Sequence, residues 1–171
     1  MIPRGQQSEF ERFVRTSSDR LVRMAYLLCG DRGHAEDIAQ TALLRTARRW
    51  RLARRNPDAY ARRVVVNLVK DRWRTLARRP QETALDVDPT IAEIPVVDGF
   101  ADSGALLDAV RGLSEGQRSV LVLRFFEDLS VADTAAALGC TTGTVKSQTA
   151  RALDRLRSAL VHQKENIDVD R

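Results

Sequence analysis

No run of apolar residues in this chain approaches the roughly 18 needed to cross a membrane. The N-terminus, MIPRGQQSEF, has no hydrophobic stretch of the kind a secretory leader requires. Both absences predict a cytoplasmic protein. Aromatic residues are scarce, at 5% of 171 residues, while Ala, Leu and Arg abound, a balance that favours helix over sheet. There are two cysteines, Cys29 and Cys140, far apart in sequence, which predicts reduced thiols filling space rather than a disulfide or a metal pair. Histidine is equally rare. His34 and His162 are the two present, and neither stands in a Glu-x-x-His motif, so a di-iron bundle is excluded despite Glu36 and Asp37 beside His34. The expectation is a protein with no metal, no cofactor and no active site.

What the chain has in excess is positive charge, unevenly placed. The net charge is +5. Between Arg45 and Arg79 stand thirteen Arg or Lys against two acids, Asp58 and Asp71, a net of +11. Between Pro80 and Ser103 the sign reverses: six acids (Glu82, Asp86, Asp88, Glu93, Asp98, Asp102) and no base. A basic stretch of that density points to a polyanionic partner.

The periodic segments are helical. Phe10, Phe13, Val14, Leu21, Met24, Ala25 and Leu28 form an apolar stripe over residues 6–28, with Ser17 and Ser18 a weak spot, and Gly30-Asp31 ends it. Asp31 caps a second helix running to about Trp50, buried through Ala35, Ile38, Ala39, Ala42, Leu43 and Thr46. Asn56-Pro57 starts a third, bearing Tyr60, Val64, Val65, Leu68 and Trp73, which ends near Arg79-Pro80. Three of the five prolines lie in the acidic stretch, which reads as a linker. Fully extended, its 24 residues reach about 80 Å; as a coil they average about 25–30 Å. Beyond it, a short helix begins at Leu106 and Ser114 caps another, with Phe125 and Phe126 expected in the core. Gln163 to Arg171 reads as a polar tail.

The most informative stretch is Asp128 to Arg157. Ser130 is a good N-cap; Val131, Thr134, Ala135 and Leu138 recur at helical spacing; Gly139 stands where a left-handed C-cap falls; Thr141 can cap the next helix. That helix turns Val145, Ala152, Leu153, Leu156 and Leu160 inward and Thr144, Lys146, Ser147, Gln148 and Arg151 outward. This is a helix-turn-helix, whose second helix enters the major groove and presents side chains suited to phosphates and base edges. A stand-alone operator-binding regulator would need the hairpin but neither the segment Asp31 to Trp50 nor the +11 stretch.

Four segments, in order, resemble extracytoplasmic function sigma factors of the sigma-70 family. Asp31-Arg32-Gly33-His34-Ala35-Glu36-Asp37-Ile38-Ala39-Gln40 is similar to the acidic start of their region 2.2. Tyr60 to Leu68 with Asp71-Arg72-Trp73-Arg74 is similar to regions 2.3 and 2.4. Leu113-Ser114 with Gln117-Arg118, and Leu138-Gly139-Cys140 with Gly143 to Ser147, Arg151-Ala152-Leu153 and Leu156-Arg157, are similar to region 4. The style is that of the short SigE-like group of high-GC bacteria. His34 and Gln148 depart from the pattern.

The resemblance implies an all-α chain of two small helical domains, region 2 over 1–79 and region 4 over 104–171, joined by the acidic linker 80–103. It implies an alternative sigma factor, not an enzyme, that directs RNA polymerase core to promoters. Asp37, Gln40, Leu44 and Arg45 would dock on the β′ clamp, with the β flap a further contact. Arg62, Arg63, Asn67, Lys70, Asp71 and Arg74 would read and melt the −10 element, and Thr144, Lys146, Ser147, Gln148 and Arg151 the −35 element. Partners would be core polymerase, promoter DNA and, as in many members, an anti-sigma factor. The acidic linker folding back on the basic face is a further expectation, drawn from its charge.

Overall fold

The computed structural model describes residues 2, 4–78 and 104–169, with helices and no strand among them. A short 3-10 turn at Arg4–Gln6 leads into α1 (Gln7–Cys29). The apolar stripe read in the sequence faces inward: Phe13, Leu21, Met24, Ala25 and Leu28 are buried. Gly30 ends the helix at φ 75, its N–H bonded to the Tyr26 carbonyl, a left-handed cap that favours a residue without Cβ. Ser17 is no weak spot. It is buried in mid-helix and its hydroxyl donates to Asp58 Oδ1 at 2.9 Å.

Asp31 caps α2 (Arg32–Arg48), its carboxylate accepting from the His34 N–H at 2.7 Å. That bond holds the Asp31 carboxyl below its usual range. The helix stops at Arg48 rather than at Trp50. A separate turn, α3 (Trp50–Ala53), then drives Trp50 into the core between Phe10, edge-on with centroids 5.1 Å apart, and Phe13, at 5.8 Å. Asn56 accepts from the Ala59 N–H and opens α4 (Pro57–Arg78), with proline in the first turn as expected. α1, α2 and α4 pack as a three-helix bundle around Met24, Leu28, Ala42, Val65 and Val69.

The second half comprises α5 (Gly104–Arg111), α6 (Glu115–Leu121), α7 (Val131–Leu138) and α8 (Thr142–Val169). Ser114 and Gln117 form a reciprocal capping box on α6. α6 does not end cleanly. It widens into a π turn over Val122–Phe126, closed by the Glu127 N–H to the Val122 carbonyl at 3.0 Å. This extra residue shifts the helical phase. Phe126 packs against the core, while Phe125, expected inside, is 48% exposed. The backbone of 163–169 continues α8 instead of forming a tail, in keeping with the helix propensity of Gln, Lys and Glu.

The two halves share one core. Val122 and Leu123 of the π turn are buried in the same cluster as α1, α2 and α4, with Leu129, Ala137 and Leu138 packed against it. Residues 80–103, including the acids expected to fold back, lie outside the described residues.

Candidate nucleic-acid interface

The helix-turn-helix forms for the local reasons its sequence states. The Ser130 hydroxyl accepts from the Asp133 N–H at 3.0 Å. Gly139 takes φ 67, and Thr141 Oγ1 accepts from the Thr144 N–H at 3.1 Å. Val145, fully buried, packs with Val120 and Ala135 and fixes the rotation of α8. Ala152 and Leu156 are buried on the same side. Thr144, Lys146, Ser147 and Arg151 are therefore exposed together, with Gln148 half-buried beside Gly116. Lys146 and Arg151 have no ion-pair partner among the described residues. They are two unspent cations on the face that a groove-binding helix presents.

The first half carries a different surface. Asp37, Gln40, Leu44 and Arg45 are all exposed on α2, and Leu44 is 61% exposed. Spacings of three and four place Asp37, Gln40 and Leu44 in one row, an apolar side chain flanked by polar ones. Beside this row lies a cleft of about 420 Å³ between α2 and α4, lined by His34, Asp37, Thr41, Arg72 and Leu76 among others.

The six −10 candidates on α4 divide into two groups. Arg63, Asn67, Asp71 and Arg74 are exposed along one face, and Asp71 orients Arg74 through a 3.1 Å pair. Arg62 and Lys70 are engaged by the second half of the chain. Lys70 donates to the Leu138 carbonyl at 2.5 Å, and burial lowers its amine below the usual lysine range. Arg62 Nε donates to Glu127 Oε2 at 2.8 Å. Trp50 is buried in the core, and Trp73, half-buried, packs against it. Tyr60 lines a cavity of about 500 Å³ whose floor is Leu52 to Arg63 and whose roof is Leu129, Asp133, Ala136 and Ala137.

Sequence reasoning missed Glu127 and Arg20. Arg20 of α1 donates to both Glu127 oxygens, at 3.1 and 2.8 Å, so Glu127 lies between two guanidiniums with 3% of its side chain exposed. One signal was present. An acid at the C-terminal end of a helix opposes the helix dipole, and Glu127 stands there with Asp128, which argues for a cation supplied from elsewhere.

A helical chain with an exposed helix-turn-helix face and a second, arginine-rich surface in its first half has the form of a nucleic-acid-binding protein. Residues 13–79 match the model of sigma-70 region 2, and residues 103–156 match that of sigma-70 region 4. The chain is 44% identical to the RNA polymerase sigma-E factor of Streptomyces coelicolor over 92% of its own length and 89% of that protein's. It is 32% identical to the ECF RNA polymerase sigma factor BldN of the same organism, over 91% and 62%. Among solved structures it is similar to the sigma factor RpoE of Bartonella quintana, crystallised with the anti-sigma factor NepR. The TM-score is 0.72 and the identity 26%, covering 89% of this chain and 96% of that one. The chain belongs to the extracytoplasmic function (ECF) group of sigma-70 factors, and its function is promoter-specific initiation by RNA polymerase.

Proposed function

We propose that region 2, over residues 1–79, docks core polymerase and reads the −10 element, that region 4, over 104–171, reads the −35 element, and that 80–103 links them. The observation that carries this reading is the separation of three exposed surfaces on one chain: the α2 row, the α4 face and the α8 face. Asp37, Gln40, Leu44 and Arg45 meet the β′ clamp, an apolar side chain among polar ones being what a specific helix-on-helix contact uses. On α4, Arg63 and Arg74 hold strand phosphates and Asn67 meets a base edge. Arg62 and Lys70 join them once region 4 moves away. On α8, Lys146 and Arg151 reach into the groove with Ser147 and Gln148, and Thr144 holds a phosphate at the helix N-terminus. The β flap holds region 4. The chain works in the cytoplasm and carries out no chemistry of its own. An anti-sigma factor is a further partner, as it is for the Bartonella quintana protein.

The test is co-purification with core polymerase and promoter binding with and without core. The reading requires a one-to-one complex and sequence-specific binding that depends on core. Tight duplex binding by the chain alone, as a dimer, would replace it with an operator-binding regulator.

A further inference from the structure

Besides the bond from Arg111 of α5 to the Tyr26 hydroxyl of α1, three polar ties cross between the halves, landing on α1, on α4 or on both. Arg118 of α6 donates to the Leu28 carbonyl at the end of α1 at 3.0 Å. Lys70 of α4 donates to the Leu138 carbonyl at the end of α7. The third is the Glu127 carboxylate, held by Arg20 of α1 and Arg62 of α4. The first two are ordinary staples between a cation and a helix C-terminus. The third is different. Two guanidiniums from separate helices converge on one carboxylate, and the arrangement would suit any oxyanion of similar reach, a backbone phosphate above all. Arg62 is 12% exposed and Arg20 42% exposed, so solvent enters the pair from the Arg20 side.

The location matters as much as the chemistry. Glu127 follows the π turn, whose additional residue sets where the side chain points. Leu129, and then Asp133 and Ala137 of α7, roof the loop before α4. The recognition face of α8 lies elsewhere and is open. Closure therefore engages Arg62 and roofs the loop before α4, while Arg63, Asn67 and Arg74 on α4 and the face of α8 stay exposed.

We infer that Arg20 and Arg62 together form a seat for a backbone phosphate of single-stranded DNA, and that Glu127 fills this seat in the free chain, latching region 4 over the loop before α4. The inference rests on the −10 reading proposed above and adds Arg20 to it. Opening exchanges one anion for another at the same two guanidiniums, at the cost of exposing Val122 and Leu123, which are buried in the shared core. Core polymerase, by holding the two halves apart, would offset that cost.

The experiment uses the full chain and a fluorescent single-stranded DNA of mixed sequence, with the radius of gyration followed by X-ray scattering. When a binding-competent state is a minor fraction, apparent affinity falls by that fraction. Glu127→Gln keeps the shape and removes the charge. It should bind the strand about tenfold or more tighter than wild type and show a larger radius of gyration. Adding Arg20→Ala to Glu127→Gln should remove most of that gain. If circular dichroism shows that Glu127→Gln loses helix, Glu127→Asp, one methylene short, is read in its place with the same two outcomes. An unchanged affinity overturns the inference, whether or not the chain expands; so does a gain that survives Arg20→Ala. Transcription by wild type with core polymerase is run alongside. If wild type initiates and Glu127→Gln binds no tighter, the latch fails alone. If wild type does not initiate, the underlying reading fails with it.

Discussion

The Ser17 hydroxyl and the Asp58 carboxylate, 41 residues apart, are joined at 2.9 Å, tying the middle of α1 to the first turn of α4. Asp58 also lies at the helix N-terminus, where a carboxylate is favoured. The pair fixes the start of the helix proposed to read the −10 element. Ser17→Ala should lower unfolding stability by about 1 kcal/mol, the usual net worth of one such bond. Asp58 is only half-buried, so water replaces part of the loss. Urea denaturation followed by circular dichroism measures the change, and an effect above about 3 kcal/mol would mean that Ser17 does more than bond Asp58.

Arg151 is exposed on α8 with no acid paired to it among the described residues. Arg151→Ala should weaken use of −35-dependent promoters by about 1–3 kcal/mol, or roughly fivefold to 150-fold, with polymerase binding intact. Promoter titration with purified holoenzyme reads both quantities. Equal activity of the variant would remove Arg151 from the interface.

Asp37 and Gln40 lie in the exposed row on α2, away from the bundle core. Asp37→Arg combined with Gln40→Ala should abolish co-purification with core polymerase while the helical circular dichroism signal and melting temperature stay near wild type. Holoenzyme formation at the wild-type level would move the docking site elsewhere.

Asp31 sets a pH dependence. Its folded pKa is depressed by the backbone bond from His34. The stabilisation is therefore present above the ordinary carboxylate range and is lost as pH falls through the lowered folded value. Asn is a comparable N-cap without the charge. The stability advantage of wild type over Asp31→Asn should be largest near neutral pH and vanish in acid. A constant difference across that range would show that the charge on Asp31 contributes nothing to the cap.

What could be read in the sequence is what local chemistry decides. Asp31, Ser114, Ser130 and Thr141 cap where their hydrogen-bonding side chains predict, and Gly30 and Gly139 adopt the positive φ that their lack of Cβ permits. The candidate DNA face of α8 was legible because Val145, Ala152 and Leu156 fix the helix rotation through periodicity alone. Contacts between residues far apart were not legible. Nothing local to Arg62 or Lys70 shows that each bonds to the other half of the chain. The reversal at Phe125 has a specific cause, since the added residue in the π turn leaves Phe125 facing out while Phe126 packs against the core. Trp50 was placed one helix too early, because the break at Arg49 carries neither glycine nor proline to announce it.

The central claim is that one chain supplies polymerase with two DNA-reading surfaces. In vitro transcription of genomic fragments by core polymerase, with and without the chain and with start sites mapped, tests it most directly. The account predicts discrete start sites that appear only when the chain is added, share one upstream sequence near −10 and another near −35, and lose the −35 dependence with Arg151→Ala. Start sites that are the same with and without the chain, or that share neither element, would contradict it.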